Sequence, residues 1–164
     1  MPSRTFITHL QTILFAAAVL MPLAPAHAGN PFTSLAGTWS GSGKVRLSNG
    51  KSEKLRCKAY YTNKSGGTNL GMSIRCASTS NKFNLRAKLS YAGGKVSGSW
   101  TETNYNASGA LSGRASTSKI NVSIQGGISG SMSVFINGRS QRVSMRTSDD
   151  TAFRGINISL RKRG

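Results

Sequence analysis

Acid is what this chain has least of. Four Asp and Glu residues stand against 22 Lys and Arg, giving a formal net charge of +18. Imidazole is scarcer still: His9 and His27 are the two histidines, and both fall within the first 28 residues. Beyond residue 28, therefore, no Ser-His-Asp set can be assembled. Cysteine is limited to Cys57 and Cys76, which lack CxxC spacing and histidine companions, so no zinc site is expected. After residue 28 no apolar run approaches the roughly 20 residues that a transmembrane helix needs. Convincing helical periodicity is absent as well.

The first 28 residues have the layout of a secretory signal. Arg4 supplies the positive start, an apolar run extends from Ile13 to Leu23, and Ala26-His27-Ala28 offers a small-x-small cleavage site. Cleavage there would leave residues 29–164 as one β-barrel domain, with no histidine and a charge lowered only by the loss of Arg4. The expected location is periplasmic or secreted. In an oxidising compartment, Cys57 and Cys76 are expected to form a disulfide.

The remaining residues are sorted with period two. In SGSWTETNYNASGALSGRAS (97–116), composition suggests a flexible linker. Yet Gly98, Trp100, Gly109, Leu111, Gly113 and Ala115 alternate with Ser, Thr and Arg. That order marks two half-buried strands joined near Tyr105-Asn106. The same alternation places Trp39, Val45 and Leu47 on one inner face. Leu55, Cys57, Ala59 and Tyr61 form another, and Leu70, Met72, Ile74 and Cys76 a third. Phe83 to Tyr91, Ile120 to Ile124, Ile128 to Ile136, Val143 with Met145, and Ile156 to Leu160 continue it. About ten short strands result.

Residues opposed in an antiparallel pair share a face, so inner sets also locate turns. Cys57 opposite Cys76 centres a turn on Gly66-Gly67. Tyr91 near Val96 centres one on Gly93-Gly94. Ile124 opposite Ile128 points to Gly126, and Ile136 opposite Arg139 points to an Asn137-Gly138 turn. Short connections favour an antiparallel up-and-down meander, and closure into a barrel buries its apolar face and removes its edges. A two-sheet sandwich is the alternative.

The stretch LAGTWSGSG, Leu35 to Gly43, resembles the first strand of calycin-like barrels of the nitrobindin and avidin type. GTWSGSG, LRCKAYY, IRCAS, SGSWTETNYNASGALSG and SMSV…SQRVSM…GINISL together resemble a group of small secreted β-proteins of alphaproteobacteria. These resemblances imply export and a β fold, and lend no catalytic or binding residue. The haem of nitrobindin-type barrels needs an axial His, which residues 29–164 do not have, so no cofactor is expected.

Three kinds of site are open. One end of the barrel should carry Lys64, Lys95, Lys119, Arg139, Arg161, Lys162 and Arg163 without an acid nearby. With the outward stripe of Lys54, Arg56, Lys58, Arg75, Lys82, Arg86 and Lys88, it predicts a non-enzymatic protein that engages an anionic envelope component. Lipopolysaccharide, acidic polysaccharide and lipid headgroups are candidates. Specific nucleic-acid binding is not expected, because outward aromatics are sparse. The second site is the interior, where Trp39, Tyr61, Met72, Phe83, Trp100, Glu102, Met132 and Met145 could enclose a small apolar ligand or simply pack together. The third is a hydrolase pair, Glu53 and Glu102, at the end that also holds Asp149 and Asp150; solvated rim residues paired with Lys51, Lys54 or Arg146 are the simpler expectation. A protease inhibitor is a further alternative, though no inhibitory motif is present.

Overall fold

A computed structural model describes residues 29–148 and 151–164. The proposed signal, and with it Arg4, His9 and His27, lies outside the described residues, as do Asp149 and Asp150. A single turn of helix, α1 (Phe32–Leu35), precedes ten strands: β1 (Gly37–Leu47), β2 (Ser52–Lys64), β3 (Asn69–Ala77), β4 (Lys82–Ala92) and β5 (Lys95–Glu102), then β6 (Ala107–Ser116), β7 (Lys119–Gly126), β8 (Gly130–Asn137), β9 (Ser140–Thr147) and β10 (Phe153–Lys162). Every strand pairs antiparallel with its chain neighbours, and β1 pairs with β10, so the sheet closes into a barrel. The seam runs from Trp39 opposite Lys162 to Leu47 opposite Phe153, with a register shift between Arg46 and Leu47. The sandwich alternative is thereby excluded.

Alternation explains the closure. β2 buries Leu55, Cys57, Ala59 and Tyr61 while Lys54, Arg56, Lys58 and Tyr60 face out, and β7 repeats this with Ile120, Val122 and Ile124. The apolar faces meet in one continuous core. Cys57 sits directly opposite Cys76, and the two form the disulfide. On the inner face, glycine is a packing requirement. A Cβ at Gly109 would run into the Gln125 carbonyl oxygen, which instead accepts a hydrogen bond from Trp100 Nε1 at 3.1 Å. Trp100, Gly109 and Gly126 are register partners across three strands, so the indole lies where two missing side chains leave room.

Two turns differ from the sequence expectation. Ile136 pairs with Gln141 rather than Arg139, and the two-residue loop is Gly138-Arg139. Gly138 has φ +54° and Arg139 does not lie at positive φ, the pattern of a type II′ turn with glycine at its first central position. Ile124 pairs with Gly130 rather than Ile128, which leaves Ile128 in the connecting loop. Both corrections shift the register by two residues. An even shift keeps every side chain on its face, so alternation alone cannot detect it.

Candidate functional site

The two ends of the barrel are built differently. At one end the chain enters through Gly29 and Asn30, forms α1 and turns into β1. Phe32 and Leu35 are fully buried there. The Asn30 side chain donates to the Gly67 carbonyl at 2.7 Å, and Asn63 donates to the Phe32 carbonyl at 3.0 Å. The Phe32 ring meets Tyr91 edge-on at 5.9 Å. Below it, Trp39 Nε1 donates to the Leu35 carbonyl at 2.7 Å, and Tyr61 exchanges hydrogen bonds with Gln141. Burial pushes the Tyr61 hydroxyl up to about 12, so it stays a neutral donor and acceptor. This end is stoppered.

The other end has no such element among the described residues. An apolar cavity of about 90 Å³ lies on that side, lined by Met72, Phe83, Trp100, Met132, Met145 and Phe153 among others. Leu85, Ile128, Met132, Met145 and Ile156 line it and are only half-buried. The cavity is partly open, and its half-buried lining lies towards this end of the strands. The molecule is a cup.

The rim of the cup holds the two described acids. Glu102 faces inward and is buried, and its carboxylate accepts the backbone N–H of Asn84 and that of Tyr105, the latter at 2.8 Å. Glu53 accepts from Ser78 Oγ at 2.6 Å, from Ser80 through both its N–H and its hydroxyl, and from Asn81. These bonds, the Ser78 hydroxyl foremost and then Ser80, hold the Glu53 carboxyl down at about 2. Asn81 bridges the acids, since Tyr105 Oη donates to Asn81 Oδ1 at 3.0 Å. Burial, then the charges of Glu102 and Glu53, raise the Tyr105 hydroxyl above its usual range. Each carboxylate therefore fastens a turn: Glu53 the β3–β4 turn, Glu102 the β5–β6 turn. The partners are hydroxyls, backbone amides and the Asn81 side-chain amide, not Lys51, Lys54 or Arg146. A glycosidase-type acid needs a raised pKa, and Glu53 is displaced the opposite way.

Of the eight predicted interior residues, Met72, Phe83, Trp100, Glu102, Met132 and Met145 line the cavity. Trp39 and Tyr61 point inward too, but belong to the packing under the stopper. Phe153 was not legible from alternation, because its parity opposes that of Ile156 and Ile158. The register shift between Arg46 and Leu47 pairs Leu47 with Phe153 and turns that ring inward, where it meets Phe83 at 5.5 Å. Gln141 has inward parity and was missed because a lone amide carries no apolar signal.

The predicted cationic residues lie at the stoppered end. Lys64, Lys95, Lys119, Arg139, Arg161 and Arg163 are exposed. Lys162 is not: its ammonium donates to the Ser34 carbonyl at 3.0 Å and sits 5.7 Å from the Trp39 ring centroid. Arg139 donates to the Lys162 carbonyl at 3.2 Å, and Arg163 Nε donates to Ser40 Oγ. Three of the seven cations thus help tie the end of β10 to α1, β1 and the β8–β9 turn.

No protein-family model matches this chain, and no curated protein is significantly similar to it. Solved structures do match. Rv2717c from M. tuberculosis aligns with a TM-score of 0.63 at 13% identity, covering 80% of this chain and 94% of that one. The S-type phycobiliprotein lyase CPES from Guillardia theta aligns with a TM-score of 0.54 at 10% identity, covering 81% and 90%. At such identity the likeness is one of fold: this chain shares a barrel architecture with both.

Proposed function

We propose that this protein is a binding cup, without catalysis, for a small apolar molecule or the apolar tail of an amphiphile. One observation carries the reading: the barrel is stoppered by α1 at one end and opens at the other onto an apolar cavity with half-exposed methionines. A protein with nothing to bind gains by filling such a mouth. The rim residues Glu53, Asn81, Glu102 and Tyr105 would face the polar end of an amphiphile. The cavity, about 90 Å³, is smaller than the roughly 150 Å³ apolar site that admits benzene. Larger tails enter if Met132 and Met145 swing aside, which unbranched thioethers do readily. A leader of the secretory pattern would deliver the cup outside the cytoplasm.

The test is a titration with n-alcohols from butanol to octanol, read by the emission of Trp100, which lines the cavity. Each added methylene buried contributes about 0.8 kcal/mol, or roughly a four-fold gain in affinity, until the cavity is full. Met145→Trp, which occupies the mouth, should abolish the saturable signal. If affinity does not depend on chain length, or Met145→Trp leaves the titration intact, the cup binds nothing through this mouth.

A further inference from the structure

The outer wall formed by β1 to β4 carries a groove of about 910 Å³. Its shape follows from the sequence. Outward positions Ser40 and Ala77 are small and form a floor. Long side chains rise around them: Arg56 and Lys82 flank Ala77 in register, and Lys58 and Arg75 lie directly opposite each other between Ser40 and Asn84. Tyr60, 42% exposed, stands at one edge and lines a second hollow of about 530 Å³ that continues across β4 and β5. Of the two described acids, neither is on this wall, because Glu53 and Glu102 are both tied into the rim.

Directly opposed like charges destabilise a sheet. Lys58 against Arg75 is such a pair, and Lys44 against Lys54 is another one strand away. An anion held between them removes the repulsion. Successive outward cations on β2 (Lys54, Arg56, Lys58) are about 6.7 Å apart, of the order of one sugar ring. Single-stranded nucleic acid sites rely on successive stacking aromatics, whereas this wall exposes one, Tyr60. Instead the groove is lined by polar groups: the Thr38 side chain, Ser40 beneath Arg163, Asn84 bonded to Thr103, and Asn104 of the β5–β6 turn bonded to the Lys82 carbonyl.

We propose that the β1–β4 wall binds a linear acidic polysaccharide, with Lys58 and Arg75 at the centre of the site and Tyr60 against a sugar face. Polygalacturonate, with one carboxylate per sugar and neither lipid nor base, is the probe, and neutral dextran is the control. At low salt, Lys58→Ser with Arg75→Ser should weaken polygalacturonate binding roughly ten-fold. Arg114→Ser with Lys119→Ser, which removes the same charge from β6 and β7, should weaken it less than about three-fold by the same reckoning. Tyr60→Ser should weaken polygalacturonate and leave inorganic polyphosphate, which has no sugar, unchanged. The proposal is overturned if the two double variants weaken binding equally. It is also overturned if Tyr60→Ser affects both polymers alike, or if phosphatidylglycerol vesicles or single-stranded DNA bind more tightly than polygalacturonate.

Discussion

Replacing Phe32 with Ala tests whether the N-terminal segment is a structural stopper. The ring is fully buried and meets Tyr91 edge-on at 5.9 Å. Truncating a core phenylalanine costs roughly 3–5 kcal/mol, of which the ring pair accounts for about 0.5–1.5. α1 is one turn long and lies outside the sheet, so it can respond by detaching instead of leaving a void. Avoiding the void brings the loss down to the lower figure, about 3 kcal/mol, and the exposure of Leu35 with the Asn30–Gly67 and Asn63–Phe32 hydrogen bonds given up keeps it from falling further. For a domain of this size each kcal/mol moves the melting temperature by roughly 3–5 °C. Calorimetry should show Tm about 10–15 °C lower, on the same scaling. A second readout is local. Trp39 Nε1 donates to the Leu35 carbonyl, so a loosened stopper hydrates the indole and shifts its emission to the red, measured with Trp100→Phe as background. A Tm within about 2 °C of the parent, with Trp39 emission unmoved, would refute the stopper and with it the one-ended cup.

Three further outcomes are expected. Removing the disulfide as Cys57→Ala with Cys76→Ala frees a loop with a sequence separation of 19 and should lower stability by roughly 3 kcal/mol, read in urea melts; coincident melts would show that the bridge constrains nothing. The Glu53 carboxyl is held at about 2, below its ordinary 4.5, so its contribution is complete above pH 4.5 and is lost as pH falls towards 2. Thermal melts from pH 6 to 2.5 should therefore fall more steeply for the parent than for Glu53→Gln, and parallel curves would remove Glu53 from the account. Gly109→Ala drives a methyl into the Gln125 carbonyl and should cost about 1–3 kcal/mol, with a change in Trp100 emission because that indole shares the carbonyl; a neutral substitution would mean the wall bends freely there.

Alternation carried most of the architecture. Trp39, Leu55, Ile74 and Ile158 needed no tertiary information, because a strand has two faces and a closed sheet has one inside. Cys57 opposite Cys76 followed from the same parity plus a glycine pair midway. Parity is blind to even slips, which is why Ile128 and Arg139 were paired wrongly: turn geometry at Gly138, not face sorting, set the β8–β9 register. It is also misled by a bulge, and Phe153 is the residue that the irregularity reorients.

The sequence by itself determined that the chain makes an antiparallel β meander with apolar side chains on one face and cations on the other, since period-two patterning and short turns are local properties. Only the tertiary structure decided that the meander closes into a barrel instead of a sandwich, and that among the described residues one end is covered by α1 while the other is not. That asymmetry depends on where Phe32 and Leu35 come to rest, on the partners that fasten Glu53 and Glu102, and on how much volume the inward side chains fill. Each is a relation between residues far apart in the chain, and no local pattern encodes it.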